Sequence, residues 1–66
     1  MRLIIHIEEL PDGTLRAQLL NRPGVEAAAR DRKSAIVAIQ AAALRALAGD
    51  IALSGKPIGG LTFIEG

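Results

Sequence analysis

The stretch "DRKSAIVAIQAAALRALAG", residues 31–49, decides the fold of this chain. It contains no glycine or proline between its first and last residues, so a helix can run through it without interruption. Asp31 is of a residue type that caps helix N-termini, and Gly49 is of the type that ends helices. The pattern therefore predicts a helix over residues 32–48. Residues 50–53 are compatible with either a further helical turn or an irregular link.

This helix carries two apolar stripes. The first has the spacing of a face that packs on a sheet, and it consists of Ile36, Ile39, Ala43 and Leu47. The second repeats in steps of four, three and four, and it consists of Val37, Ala41, Leu44 and Ala48. One small sheet covers only one side of a helix, so either the C-terminal segment folds back over the second stripe or another polypeptide covers it. Large exposed apolar patches are rare in monomers, which favours a homodimer or a tetramer.

The chain before the helix is typical of three strands. Residues 3–8 alternate, with one face formed by Leu3, Ile5 and Ile7 and the other by Ile4, His6 and Glu8. The segment "LPDGT" supplies a turn, with Pro11 at its second position and Gly13 free to take a positive φ. "TLRAQLL" resumes the alternation, so the two segments predict a β-hairpin. After "NRPG", residues 25–29 predict a third strand whose inward residues are Val25, Ala27 and Ala29.

The chain after the helix predicts a loop and a last strand. "GKPIGG", residues 55–60, is rich in glycine and proline, and "LTFIEG" then alternates. The order β-β-β-α-β predicts an α+β fold: a single domain over residues 1–66, with an antiparallel sheet and one helix packed on one face. Ile4 and Ile64 would lie on the outer face of that sheet and offer a second surface for self-association.

The composition limits how this domain can be stabilised. A chain of 66 residues hides only about 60% of its surface on folding. A single domain of this size has low stability without disulfides, a metal or a partner chain. The chain has no cysteine, and its single histidine, His6, cannot build a zinc site alone, so we expect association with another chain to stabilise it. The net charge of +1 is too small to predict nucleic-acid binding. We find no apolar run of about 18 residues and no signal-peptide pattern, so we expect a cytoplasmic protein without a membrane span.

Few residues suggest chemistry. Arg30, Arg32 and Lys33 stand where the helix begins, and they indicate either an anion or partner contact or, as we favour, a solvated polar corner. Glu8, Glu9 and Asp12 are typical of a polar hairpin tip. The sequence contains no nucleophile triad and no cofactor motif. It therefore predicts a protein that is not an enzyme, with no catalytic, cofactor-binding or metal-binding residues.

The order of these features resembles the HicB-like antitoxin family. The shared features are a first strand ending in acidic residues, a "DG" turn, "PG" before the third strand, a helix with the pattern A-I-x-x-I, and G-x-P-I before the last strand. The likeness covers nearly the whole chain, although Arg32 and Lys33 replace the family's acidic residues at the helix start. Many members carry a C-terminal DNA-binding domain, so the likeness is to a solitary domain of this family.

The resemblance implies a function. HicB-like proteins are prokaryotic antitoxins that bind and neutralise HicA-like toxins, which are small ribonucleases. The chain is accordingly expected to be a non-enzymatic binding protein of a toxin–antitoxin system that acts as an oligomer. The alternative is a small oligomeric protein associated with nucleic acid through the basic residues at the helix N-terminus.

Overall fold

A computed structural model describes residues 2–55 and 59–66 of the chain. It contains the strands β1 (Arg2–Glu9), β2 (Leu15–Leu19) and β3 (Glu26–Ala29), the helix α1 (Arg32–Ser54) and the strand β4 (Thr62–Glu65). The strands form one sheet in the order β3-β2-β1-β4. The predicted α+β fold with the order β-β-β-α-β is therefore confirmed. Part of the predicted "GKPIGG" loop, residues 56–58, lies outside the described residues.

The predicted hairpin of β1 and β2 is confirmed. The two strands are antiparallel, with Ile7 opposite Ala17. The turn between them is closed by a hydrogen bond of 2.9 Å from the Gly13 N–H to the Leu10 carbonyl, and Gly13 takes a φ of 87°. A residue with a side chain rarely adopts this φ, so glycine is strongly favoured at this position.

The predicted antiparallel sheet is wrong in one respect: β4 is parallel to β1, so the sheet is mixed. β1 and β3 are both antiparallel to β2 and so point the same way. The helix α1 returns the chain to the end of the sheet where β1 and β3 start. β4 must then run in their direction. Alternation along a strand shows which side chains face the core, but it does not show the direction of the neighbouring strand.

The helix α1 is longer than predicted. It runs for 23 residues through Gly49 and ends where Gly55 takes a φ of 68° and donates its N–H to the Ile51 carbonyl at 2.8 Å. Gly49 is thus an interior residue and not the end of the helix, and residues 50–53 are helical. The predicted N-cap is confirmed, because the Asp31 carboxylate accepts a hydrogen bond of 2.8 Å from the Ser34 N–H.

The core lies between α1 and one face of the sheet. In the part of the chain that the structure describes, all buried residues are apolar, and they are Leu3, Ile5, Ala17, Leu19, Ala35, Ile39, Ala43 and Leu47. Ala35 is fully buried whereas Ile36, predicted for this face, is half-buried, because the contact follows the row of residues four apart. As predicted, Val25, Ala27 and Ala29 point toward this core. The helix packs mainly over β3 and β2 and less over β1.

The side chain of Asn21 extends the ladder between β1 and β2. Its Oδ1 accepts from the Ile4 N–H at 3.0 Å, and its Nδ2 donates to the Arg2 carbonyl at 2.6 Å. These are the bonds that the backbone of a longer β2 would make. The amide side chain therefore supplies hydrogen-bond partners for the backbone at the start of β1, where β2 has already ended.

We predict that Gly49→Ala stabilises the protein. The position is helical, and apart from the neighbouring residues and the nearby backbone of α1 itself, no atom lies within 4 Å of a Cβ added there. Alanine should raise the free energy of unfolding by about 0.5–1 kcal/mol, which urea or thermal unfolding can measure. Gly55→Ala is the matched control and should destabilise, because Gly55 has a positive φ. Loss of stability in Gly49→Ala would show that α1 does not continue through this residue.

We predict that Asn21→Ala destabilises the protein by about 1–2 kcal/mol, since it removes two hydrogen bonds to β1. Asn21→Asp keeps the acceptor for the Ile4 N–H, but it turns a carboxylate toward the Arg2 carbonyl, so it should destabilise as well. Urea unfolding measures both variants. Stability equal to that of the unmodified chain in both cases would refute the role of Asn21 in the ladder.

Candidate protein-interaction site

The side of α1 that points away from the sheet carries a continuous apolar stripe. We call it the outer helix face, and it consists of Val37, Ala41, Leu44, Ala48 and Ile51. Of the three large side chains, Val37 is 58% exposed, Leu44 is 52% exposed and Ile51 is 39% exposed. The four residues predicted from the sequence are on this face. Ile51 was missed because its segment was not assigned to the helix.

Residues 59–66, the described part of the chain after Gly55, do not cover the outer helix face. β4 pairs with β1 at the edge of the sheet, and within the described residues Val37 and Leu44 remain more than half exposed. The alternative in which this segment folds back over the stripe is therefore wrong for the described part of the chain. No described residue of the same chain covers the outer helix face enough to bury Val37 or Leu44.

The last two turns of α1 extend past the sheet. A helix of 23 residues is about 35 Å long, whereas a strand of five residues such as β2 spans about 17 Å. Every residue from 48 to 55 is exposed, and Leu53 is 91% exposed. The radius of gyration is 12.5 Å, compared with about 11 Å for a compact domain of this length. The helix thus offers apolar surface that its own domain cannot cover.

A second apolar patch lies on the outer face of the sheet. Ile4 and Ile64 are direct neighbours on β1 and β4, as their predicted place on this face requires. Leu20 joins them, because its N–H donates to the Ile4 carbonyl and it follows the inward-facing Leu19. We call these three residues the outer sheet patch. Leu20 was missed, although the alternation of β2 carried one residue further would have placed it here.

The rest of the outer sheet face is polar. Arg16 forms an ion pair with Glu8 across the hairpin, and both side chains are more than a third exposed. His6 lies opposite Gln18, which in turn lies opposite Glu26. Within residues 2–55 and 59–66, no three or more His, Cys, Asp or Glu residues are grouped to hold a metal ion. This face has the character of a solvated surface around the apolar outer sheet patch.

The basic residues at the helix start do not converge on one point. Arg32 forms an ion pair with Glu65 at the end of β4. The Asp31 carboxylate accepts hydrogen bonds from both the Ser34 N–H and the Ser34 hydroxyl. The Ser34 N–H, which a bound anion at the helix N-terminus would use, is therefore already engaged. Arg30 and Lys33 are exposed. The arrangement is that of a polar corner with internal charge pairing. No short-range pattern in the sequence indicates the pairing of Arg32 with the distant Glu65.

The turn between β2 and β3 is attached to the helix. Arg22 in this turn forms an ion pair with Asp50 in α1. Next to it lies a shallow depression of about 320 Å³, which is bordered by Leu20, Pro23 and Glu26 among others. Because Leu20 belongs to the outer sheet patch, the depression and the patch adjoin.

The helix α1 is long enough to span a membrane, and one 18-residue window within it has a mean hydropathy of 1.7, which is apolar enough for such a span. This is weak support for a span, because the core helix of a folded domain passes the same test. Four residues of α1 are buried in the core described above.

Comparison of the chain with protein-family models, with curated proteins and with solved structures gave no significant match.

We predict that acid destabilises the protein partly through Asp31. Hydrogen bonds from the Ser34 N–H and then from its hydroxyl hold the pKa of Asp31 below its ordinary value of 3.8, and Thr14 has the same effect on the pKa of Asp12. A carboxylate with a lowered pKa stabilises the fold above its ordinary pKa, and this contribution is lost as the pH falls through the lowered value.

Asp31→Asn is the matched variant, because asparagine caps helices as well as aspartate but does not titrate. Urea midpoints measured from neutral pH down to about pH 2 should fall less steeply in Asp31→Asn than in the unmodified chain. Equal slopes would show that the cap does not contribute to acid sensitivity.

Proposed function

We propose that this protein is a non-enzymatic binding protein that acts as a homo-oligomer in the cytoplasm, and that it is a HicB-like antitoxin for a small HicA-like ribonuclease toxin. The observation that carries the binding role is the amount of exposed apolar surface. Within residues 2–55 and 59–66, six large apolar side chains are exposed: Leu20, Val37, Leu44, Ile51, Leu53 and Ile64.

These side chains are organised and not scattered. Val37, Leu44 and Ile51 share the outer helix face, whereas Leu20 and Ile64 share the outer sheet patch with Ile4. Full burial of such a side chain contributes about 1.5–3 kcal/mol, so covering one that is half exposed contributes roughly 1 kcal/mol. Covering either surface with another polypeptide therefore contributes a few kcal/mol to the free energy of association.

The two surfaces lie on opposite sides of the domain. The sheet separates the outer sheet patch from the core, and the helix separates the outer helix face from it. One surface can therefore serve self-association while the other holds a different chain. An antitoxin needs this capacity, because it must cover its toxin and remain assembled at the same time.

The antitoxin role is supported by the order of sequence features that resembles the HicB-like family, and by the α+β fold with one helix on one face of the sheet. A binding role needs no catalytic group. It needs only a stable surface whose exposed apolar side chains match those of the toxin.

We predict that this chain rescues cells from a toxin encoded next to its own gene. Expression of the adjacent small open reading frame alone should arrest growth, and co-expression of this chain should restore it. The two proteins should also purify as one complex. An adjacent product that is not toxic, or one that this chain neither binds nor neutralises, would refute the antitoxin role.

Two double variants make this experiment specific. Leu20→Lys with Ile64→Lys places charges on the outer sheet patch and should abolish rescue. Arg30→Gln with Lys33→Gln neutralises the exposed basic residues and should leave rescue intact. The opposite result, together with salt-sensitive binding of RNA or DNA that is lost in Arg30→Gln with Lys33→Gln, would instead support the alternative of a nucleic-acid-associated protein.

A further inference from the structure

We propose that a second copy of this chain covers the outer helix face by packing its own α1 antiparallel to the first, across a two-fold axis. This inference rests on the oligomeric part of the proposed function and deepens it, because it names the face, the direction and the register. The purified chain alone tests it, whereas the antitoxin role is tested with the toxin. The failure of one is therefore distinguishable from the failure of the other.

The residues of the outer helix face follow the spacing of a coiled-coil seam. With Ser34 added at its start, the face advances in steps of three and four over residues 34–51. The residues at alternate positions differ in size. Ser34, Ala41 and Ala48 are small, whereas Val37, Leu44 and Ile51 are branched and large.

This alternation favours one direction of pairing. In an antiparallel pair, the two kinds of position face each other, so every small residue meets a large one from the partner. In a parallel pair, identical positions meet, so layers of two alanines would alternate with layers of two large side chains. Interiors pack to a uniform density without voids or overlap, and only the antiparallel arrangement gives this along the whole seam.

The register follows from full overlap of the seam. Ser34 then faces the partner's Ile51, Val37 faces the partner's Ala48, and Ala41 faces the partner's Leu44. The charges agree with this register. Arg45 lies beside the partner's Ala38 and not beside a second arginine. The N-terminal end of each helix also lies next to the C-terminal end of the other, which is the favourable arrangement of two helix dipoles.

The rest of the fold permits this approach. The sheet occupies the opposite side of α1, where the buried Ala35, Ile39 and Ala43 point, so a second helix meets no strand of the first copy. The 18 residues of the seam are about 27 Å long, and two such strips bury roughly 600–1,000 Å² in total. Stable complexes bury about 1,200–2,000 Å², so we expect a dimer that dissociates in the micromolar range.

Sedimentation equilibrium of the purified chain tests the association. The unmodified protein should change from monomer to dimer between about 1 and 100 µM. Leu44→Glu should weaken dimerisation at least about tenfold, and circular dichroism should show that it remains folded, because Leu44 is 52% exposed in the single chain. Leu53→Glu is the control, since Leu53 is 91% exposed but lies off the seam, and it should dimerise normally.

The variant Ala48→Leu distinguishes a specific helix pair from non-specific association of an apolar surface. It adds apolar area, so a non-specific patch would associate more strongly. In the proposed register it sets leucine against the partner's Val37, so dimerisation should weaken. A monomer at all concentrations would overturn the proposal, and so would a dimer that is insensitive to Leu44→Glu. If the monomeric chain instead uses this face for the toxin or for lipid vesicles, the proposal is equally overturned.

Disulfide trapping tests the direction. The chain has no cysteine, so Val37→Cys and Ala48→Cys introduce the only thiols. A disulfide requires Cα atoms within about 7 Å, and identical positions in the proposed register are about 16 Å apart along the axis. Oxidation of the two variants mixed should give the mixed dimer, and each variant alone should give little product. Efficient trapping of each variant with itself would indicate parallel pairing and overturn the proposal.

Discussion

The structure depends on the packing of one long helix against a sheet that is too small to cover it. The contact itself is close, because Ala17, Ala35 and Ala43 are fully buried and their small side chains let the helix approach the strands. The same alanines add little apolar volume, and the largest fully buried side chains are Ile5 and Ile39. The core is therefore tight but small. The apolar residues that remain lie on the outside of the helix and of the sheet.

The position of the helix over the sheet determines what remains uncovered. Because α1 packs mainly over β3 and β2, the inward side chains of β4, such as Phe63, are only half-buried. The two opposite apolar surfaces follow from the same constraint. Pairing through the helices would leave both outer sheet patches free and facing away from each other. Such a dimer would present two identical surfaces to other chains.

Much of this fold could be predicted from short-range patterns. Alternation in β1 and β2 gave their inward residues, the "DG" turn gave the hairpin, and Asp31 gave the start of α1. Each of these depends on residues a few positions apart. The predicted end of the helix at Gly49 was wrong, because a helix can tolerate an interior glycine at a cost of about 1 kcal/mol. The helix ends instead at Gly55, which takes the left-handed conformation.

The features that could not be predicted depend on residues far apart in the chain. The parallel direction of β4 follows from the path of the whole helix, and the ion pair of Arg32 with Glu65 follows from that path as well. The candidate site shows the same division. The sequence alone identified four residues of the outer helix face. Ile51 could be added only once the true end of the helix was known, and Leu20 could be added to the outer sheet patch only once its hydrogen bond to β1 was known.

The central place of β1 has a consequence for synthesis of the chain. β1 is made before the other three strands, and it is flanked by β2 on one side and by β4 on the other. β2 follows after a short turn, but β4 is reached only after the whole crossover has been made. Until then one edge of β1 has backbone groups without a strand partner, and such an edge readily pairs with other extended chains. Until β4 pairs with β1, the unpaired edge of β1 is therefore open to strand addition by another chain.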